Sequence, residues 1–202
     1  MSQDTPGQEF TKIREIFSDV ATQDVLSSAG DSLEEQIPSI EEDSVHRALR
    51  SFDDRIVDQN LIGLCRKDFT HENYADASRR ATQYLSQRVY EQCKDELSAR
   101  ESEKAKQKGS KPGVLKDGTA LMQQVFALDN PVLMVPETLK TQNDQSQQLG
   151  YGNLMQGVIG AFRNPRSHDV FYQDDPLQAI LIIELVQHLL EVLSSSHLIS
   201  LK

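Results

Sequence analysis

The segment Leu177–Leu193 constrains the fold more than any other part of the chain. Over its seventeen residues only Gln178, Glu184, Gln187, His188 and Glu191 are polar. Glu184, Gln187, His188 and Glu191 fall at i, i+3, i+4 and i+7, which is one stripe of an α-helix. Leu177, Ile180, Leu181, Ile183, Leu185, Leu189, Leu190 and Val192 cover the rest. An apolar arc that wide buries more than one neighbour, which predicts a central position in a bundle or a dimer seam. A membrane span needs ~20 mainly apolar residues, and this run is too short and too interrupted to supply them. Asp175-Pro176 marks its start, with Asp as N-cap and Pro at the first helical position.

Composition points the same way. Hydrophobic residues make up 38% of the 202, aromatics only 6%, and Trp is absent. The core therefore rests on Leu, Ile, Val and Ala, which suits helices packed on helices. Thr70–Ala99 reads as one long helix: Tyr74, Ala77, Ala81, Tyr84, Leu85, Val89 and Cys93 share a face, and neither Gly nor Pro interrupts it. Thr70 is its predicted N-cap. Val45, Leu49, Phe52, Ile56 and Leu61 form the stripe of an earlier helix behind the acidic run Glu41–Asp43. Leu154, Val158, Ile159 and Phe162 mark another face. Ser98–Gly118, polar and punctuated by Gly and Pro, reads as a connection or frayed helix end, and the Gln/Asn-rich Thr141–Gln148 as a loop.

Residues 1–40 read as an appendage, in which Phe10, Ile13, Phe17 and Val20 suggest a short amphipathic helix. The N-terminus has no basic region followed by an apolar core, so a soluble, cytoplasmic protein without membrane attachment is expected. Cys65 and Cys93 lack CxxC spacing and read as small buried apolar residues. His46, His71, His188 and His197 form no convincing metal set, and Glu184–His188 is a weak pair at i, i+4. No metal and no cofactor are expected. No glycine pattern matches a P-loop or a dinucleotide fingerprint.

The net charge is −10, which excludes an overall polycationic nucleic-acid binder. It is unevenly spread. Residues 77–116 carry 10 basic and 5 acidic residues, a net of +5 inside an acidic protein. That segment reads either as a solvated helix end and loop or as a strip that attracts a polyanion.

The densest chemistry lies between the last two helices, in Arg163-Asn164-Pro165-Arg166-Ser167-His168-Asp169. Pro165 disfavours helical geometry for Asn164, so the helix is predicted to end there and Arg163 and His168 to converge across the bend. Such a pair suits phosphodiester cleavage without metal. An imidazole moves a proton near neutral pH, and a guanidinium fork holds phosphate oxygens. The 2′-hydroxyl of RNA supplies the nucleophile. An ordinary polar bend, in which these side chains cap helix ends, fits the spacing too.

Four stretches carry a family resemblance: Phe69–Ala77, Asp117–Met122 with Phe126, Asn130-Pro131, and Gly157–His168, which ends GAFRNPRSH. Together they resemble the Ymh family of uncharacterised bacterial and phage proteins, a branch of the HEPN superfamily. The likeness spans roughly residues 60–193. It implies an all-α, up-and-down HEPN-like helical bundle over 41–202, with residues 1–40 as an N-terminal helical extension. It also implies a metal-independent endoribonuclease with Arg163 and His168 as catalytic residues at a homodimer interface. Asn164 and Arg166 are the expected substrate-binding residues, RNA the expected substrate. The setting implied is phage defence or a toxin–antitoxin-like system. A non-catalytic helical dimerisation or interaction module is the alternative, and a regulatory protein partner docking on residues 1–40 a further expectation. Some toxin members of that superfamily carry a Tyr two residues after the His, where this chain has Val170; the nearest is Tyr172.

Overall fold

The computed structural model describes residues 40–168 and 172–200. The predicted helix over 10–20 and Asp169 lie outside the described residues. Among the described residues, helices dominate: α1 Ile40–Arg55, α2 Gln59–Thr70, α3 Tyr74–Lys108, α4 Gly118–Val125, α5 Gln142–Val158, α6 Asn164–His168 and α7 Pro176–Ser195. One short ladder joins β1 Leu133–Met134 to β2 His197–Leu198, antiparallel, with Leu133 opposite Leu198. The fold is an all-α bundle, as the aliphatic composition predicts.

Among the described residues helix α3 is the longest element, 35 residues and about 52 Å at the standard rise. Its face Ala77, Ala81, Leu85, Val89 and Cys93 is fully buried, packed chiefly against α7 and α2. Thr70 is the last residue of α2 and not the N-cap of α3; a two-residue turn at His71–Glu72 separates them, and Asn73 precedes α3. The polar stretch after Ala99 does not fray. It stays helical to Lys108, where Gly109 at φ 62° ends it in the left-handed conformation that glycine adopts without penalty. Charge alternation over 91–106 sustains this end through the i, i+3 pairs Lys94–Glu91, Lys104–Glu101 and Lys106–Glu103.

Helix α7 runs through the core. Ala179, Ile180, Ile182, Ile183, Val186, Leu189 and Leu193 are buried, and the Asp175 carboxylate accepts the Gln178 N–H as predicted. Its length and composition alone would allow a membrane span, yet two residues of its polar stripe bind neighbouring elements, while His188 and Glu191 are exposed. Glu184 receives the Arg55 guanidinium. Gln187 Oε1 accepts the N–H groups of Val57 and Asp58 at 2.8 and 2.9 Å. That contact covers the break between α1 and α2, where Asp58 in turn caps α2 through the Asn60 and Leu61 amides.

Gln142–Gln148 is helical, not a loop, with Thr141 as its extended N-cap. Thr141 Oγ1 accepts the Asp144 N–H while the Asp144 carboxylate accepts the Thr141 N–H, a reciprocal cap that outweighs the low helix preference of Asn and Asp here. Gln148, fully buried, accepts from Val135 N and donates to Leu133 O and Phe126 O. Each polar atom of that amide thus binds backbone, which fixes β1 and the end of α4 against α5. Arg100 does the same from α3: it pairs with Glu96 and donates to the carbonyls of Asn130, Pro131 and Ile199.

Candidate functional site

The helix does not end at Asn164. After Val158 the chain makes a π turn, Ile159–Arg163, in which Asn164 N–H bonds Ile159 O five residues back. Asn164 is helical at φ −64°, ψ −49°, and α6 carries the path on to His168. A proline ring in an α-helix collides with the carbonyl four residues earlier, and the wider π turn relieves that crowding. Pro165 is thereby absorbed, and the backbone from Arg163 to His168 follows one continuous helical path instead of breaking at Asn164.

The π turn aims Arg163 toward α4. Its guanidinium meets Asp117, the N-cap of α4, with Nη2 3.3 Å from Oδ2. The other carboxylate oxygen of Asp117 accepts Gly118 N–H at 2.6 Å and lies 3.5 Å from Ser86 Oγ on α3. Burial raises the Asp117 carboxyl, but the Gly118 amide and the Arg163 charge more than offset it and hold it below the usual carboxylate range. Gly118 stands at φ 62°, and a Cβ there would approach Arg163 Nη1 to 3.4 Å. The Asp-Gly pair is thus a socket for the guanidinium: a held carboxylate beside a bare backbone.

Arg163 lines an open cleft of about 450 Å³. One wall is the α3 face Gln83, Ser86, Gln87 and Tyr90, spaced i, i+3, i+4 and i+7; the other is the segment Val114–Asp117. Arg163 and Lys116 against Asp117 leave the charged lining net positive in a protein of charge −10. Val114 is almost wholly exposed at the rim.

The remaining expected site residues are placed differently. Asn164 is exposed on α6, beside Arg163. The side chain of His168 lies outside the described residues; its backbone ends α6. Arg166, expected to bind substrate, is buried. Its side chain is 1% exposed and pairs with Asp174 at 0%, through Nε–Oδ2 at 2.7 Å and Nη2–Oδ1 at 2.5 Å. Nη1 donates to Phe162 O, and the guanidinium stands 4.6 Å from the Tyr172 ring centre. A buried fork of this kind clasps the two sides of the corner together.

The basic segment is also less bare than its composition suggests. Arg79 pairs with Asp76, Arg80 with Asp68, and Arg100 is buried with Glu96. Among the described residues, no three or more His, Cys, Asp and Glu side chains gather to hold a metal ion. The local spacing of 163–169 carries no sign of Asp117, Ser86, Gln83, Gln87 or Tyr90 as site neighbours. The only signal was that Asp117-Gly118 and the RNPRSH stretch both belong to the segments bearing the family resemblance.

A family model described as a protein of unknown function (Hypoth_ymh) matches residues 55–193, more than half of the chain. No curated protein and no solved structure matches it.

Proposed function

The chain belongs to the Ymh family of proteins of unknown function, and from that premise we propose that it is a metal-independent, HEPN-type endoribonuclease. It acts as a homodimer in phage defence or in a toxin–antitoxin-like system. The observation that carries this reading is Arg163: the guanidinium of the RNPRSH stretch lines an open cleft beside Lys116 in an otherwise acidic protein. Arg163 holds the non-bridging oxygens of the scissile phosphate and offsets the charge that develops there. The ribose 2′-oxygen attacks phosphorus, the bond to the 5′-oxygen breaks, and His168 acts as general acid or base. The products are a 2′,3′-cyclic phosphate, or the 3′-phosphate after its hydrolysis, and a free 5′-hydroxyl. Arg163 and His168 are five residues apart, more than one helical turn, so they are not stacked neighbours of one face. A second copy supplies the rest of the site.

The test is cleavage of a panel of single-stranded RNAs in excess chelator. The expected result is cutting with cyclic or 3′-phosphate ends, lost by about 10²-fold or more in His168→Ala and Arg163→Ala. Intact RNA across the panel, or equal cutting by His168→Ala, overturns the reading. The second reading is a non-catalytic dimerisation or interaction module of a defence system. It draws on Leu177 and Leu181, one helical turn apart on α7 and 58% and 52% exposed. It predicts that Arg163→Ala lowers the melting temperature with no nuclease activity to lose.

A further inference from the structure

We propose that the cleft between α3 and Val114–Asp117 is a nucleotide subsite, in which Gln83 and Gln87 select the base. The inference shares Arg163 with the nuclease reading and rests on it for the identity of the phosphate as part of RNA; the binding itself requires no cleavage.

The cleft holds three kinds of chemistry at once. Arg163 and Lys116 form a cationic pole, and the sole acid in the lining, Asp117, already accepts Gly118 N–H and faces Arg163. That pole recognises an anion. Tyr90, half-buried, and the apolar wall Val114–Leu115 offer surface for a flat ring. Stacking a base on an aromatic side chain is sequence-tolerant, because every base has a π-face. Selection therefore falls to Gln83 and Gln87. Both are exposed, one turn apart on the same helix face, and each carries a donor and an acceptor without charge. A volume of about 450 Å³ lies within the ~300–1,000 Å³ range of small-ligand sites. An inorganic anion alone uses only the cationic pole. A flat ring alone uses only Tyr90 and Val114–Leu115. A nucleoside monophosphate uses all three features together.

The full-length protein is titrated calorimetrically at low salt with the four ribonucleoside 3′-monophosphates, inorganic phosphate and a short homo-oligoribonucleotide. The expected result is that one base binds best, at least about tenfold tighter than phosphate. Arg163→Ala and Lys116→Ala weaken all nucleotides alike. Gln83→Leu and Gln87→Leu, exposed and therefore compatible with folding, compress the preference among bases while phosphate binding stays unchanged. Tighter binding of the oligonucleotide than of its monomer assigns the subsite to a strand; equal binding assigns it to a free nucleotide, and either supports the subsite. Nucleotides no tighter than phosphate, or a base preference untouched by both Gln variants, overturn it. The two readings fail separately: RNA cleavage without nucleotide binding removes the subsite alone, and nucleotide binding without cleavage removes the nuclease alone.

Discussion

Arg163 and Asp117 stand 46 positions apart in the chain and meet with Nη2 and Oδ2 3.3 Å apart. The contact joins the π turn after α5 to the first residue before α4, so it couples the shape of that turn to the mouth of the cleft. Asp117 is held below the usual carboxylate range, since burial, which raises it, is outweighed by the Gly118 amide and Arg163. A folded value below the unfolded reference of ~3.9 contributes stability fully above that reference and loses it as pH falls through the folded value. Asp117→Asn is therefore expected to be less stable than the wild type by a small, constant amount between about pH 5 and 8. The gap closes in more acid solution. Urea midpoints measured across pH test this, and a gap that changes between those two pH values contradicts it.

Gly118 completes the same socket. Its φ of 62° is a conformation that side chains with a Cβ resist, at about 1–2 kcal/mol. An added methyl would only touch Arg163 Nη1, at 3.4 Å, so the cost lies in the backbone. Gly118→Ala is expected to lower stability by that order, read as a lower urea midpoint. An unchanged midpoint contradicts the strain argument.

Much of the bundle is legible in the residue pattern, because helical periodicity and capping are local. Asp175-Pro176 announces α7, and of the apolar stripe read from spacing Ile180, Ile183 and Leu189 are buried, whereas Leu177 and Leu181 face outward. Local patterns failed where two signals competed. Gln and Asn at 142–148 suggest a loop, yet the Thr141–Asp144 cap starts a helix there and Gln148 becomes a buried backbone clamp. Pro165 suggests a helix stop, yet a π turn absorbs it. Arg163 was legible as chemistry, but its neighbours were not. Asp117 and the α3 wall reach it only through tertiary packing, which no local spacing encodes. Arg166, expected to bind substrate next to the catalytic Arg163, lies buried beside Asp174 instead.

Gly152 on α5 lies against Phe126, the residue that caps the end of α4. A Cβ at that position would lie 2.9 Å from Phe126 Cβ, closer than two carbons tolerate, and Phe126 is itself buried at 3% exposure. Gly152→Ala therefore forces the helices apart or displaces the ring, at about 1–3 kcal/mol for an overpacked contact. A calorimetric melting temperature below that of the wild type is the expected outcome. Gly150→Ala is the matched control, because nothing lies within 4 Å of a Cβ there. Its melting temperature should be no lower than the wild type.

Cys65 and Cys93 are both buried, and burial pushes each thiol up to about 12. At a pH of about 8 only roughly one in ten thousand of such thiols is ionised, and the thiolate is the reactive form. A disulfide reagent is expected to label neither cysteine in the native protein and both in denaturant. The labelling rate should follow the unfolding transition. Rapid labelling of either thiol without denaturant contradicts the burial.

The corner that carries Asn164 and His168 depends on the pair of Arg166 with Asp174. With side-chain exposures of 1% and 0%, neither charge can turn to water if the other is removed. Breaking such a pair costs about 3–5 kcal/mol, since the survivor stays buried and uncompensated. Asp174→Ala is expected to show that loss in urea denaturation, more than any exposed substitution in the molecule. Arg166→Met with Asp174→Leu removes both charges together and should recover a large part of it. The recovery is incomplete because Phe162 O also loses the Nη1 donor and the Tyr172 ring loses its cation. If Asp174→Ala unfolds at the wild-type midpoint, the fork is not what holds the corner closed.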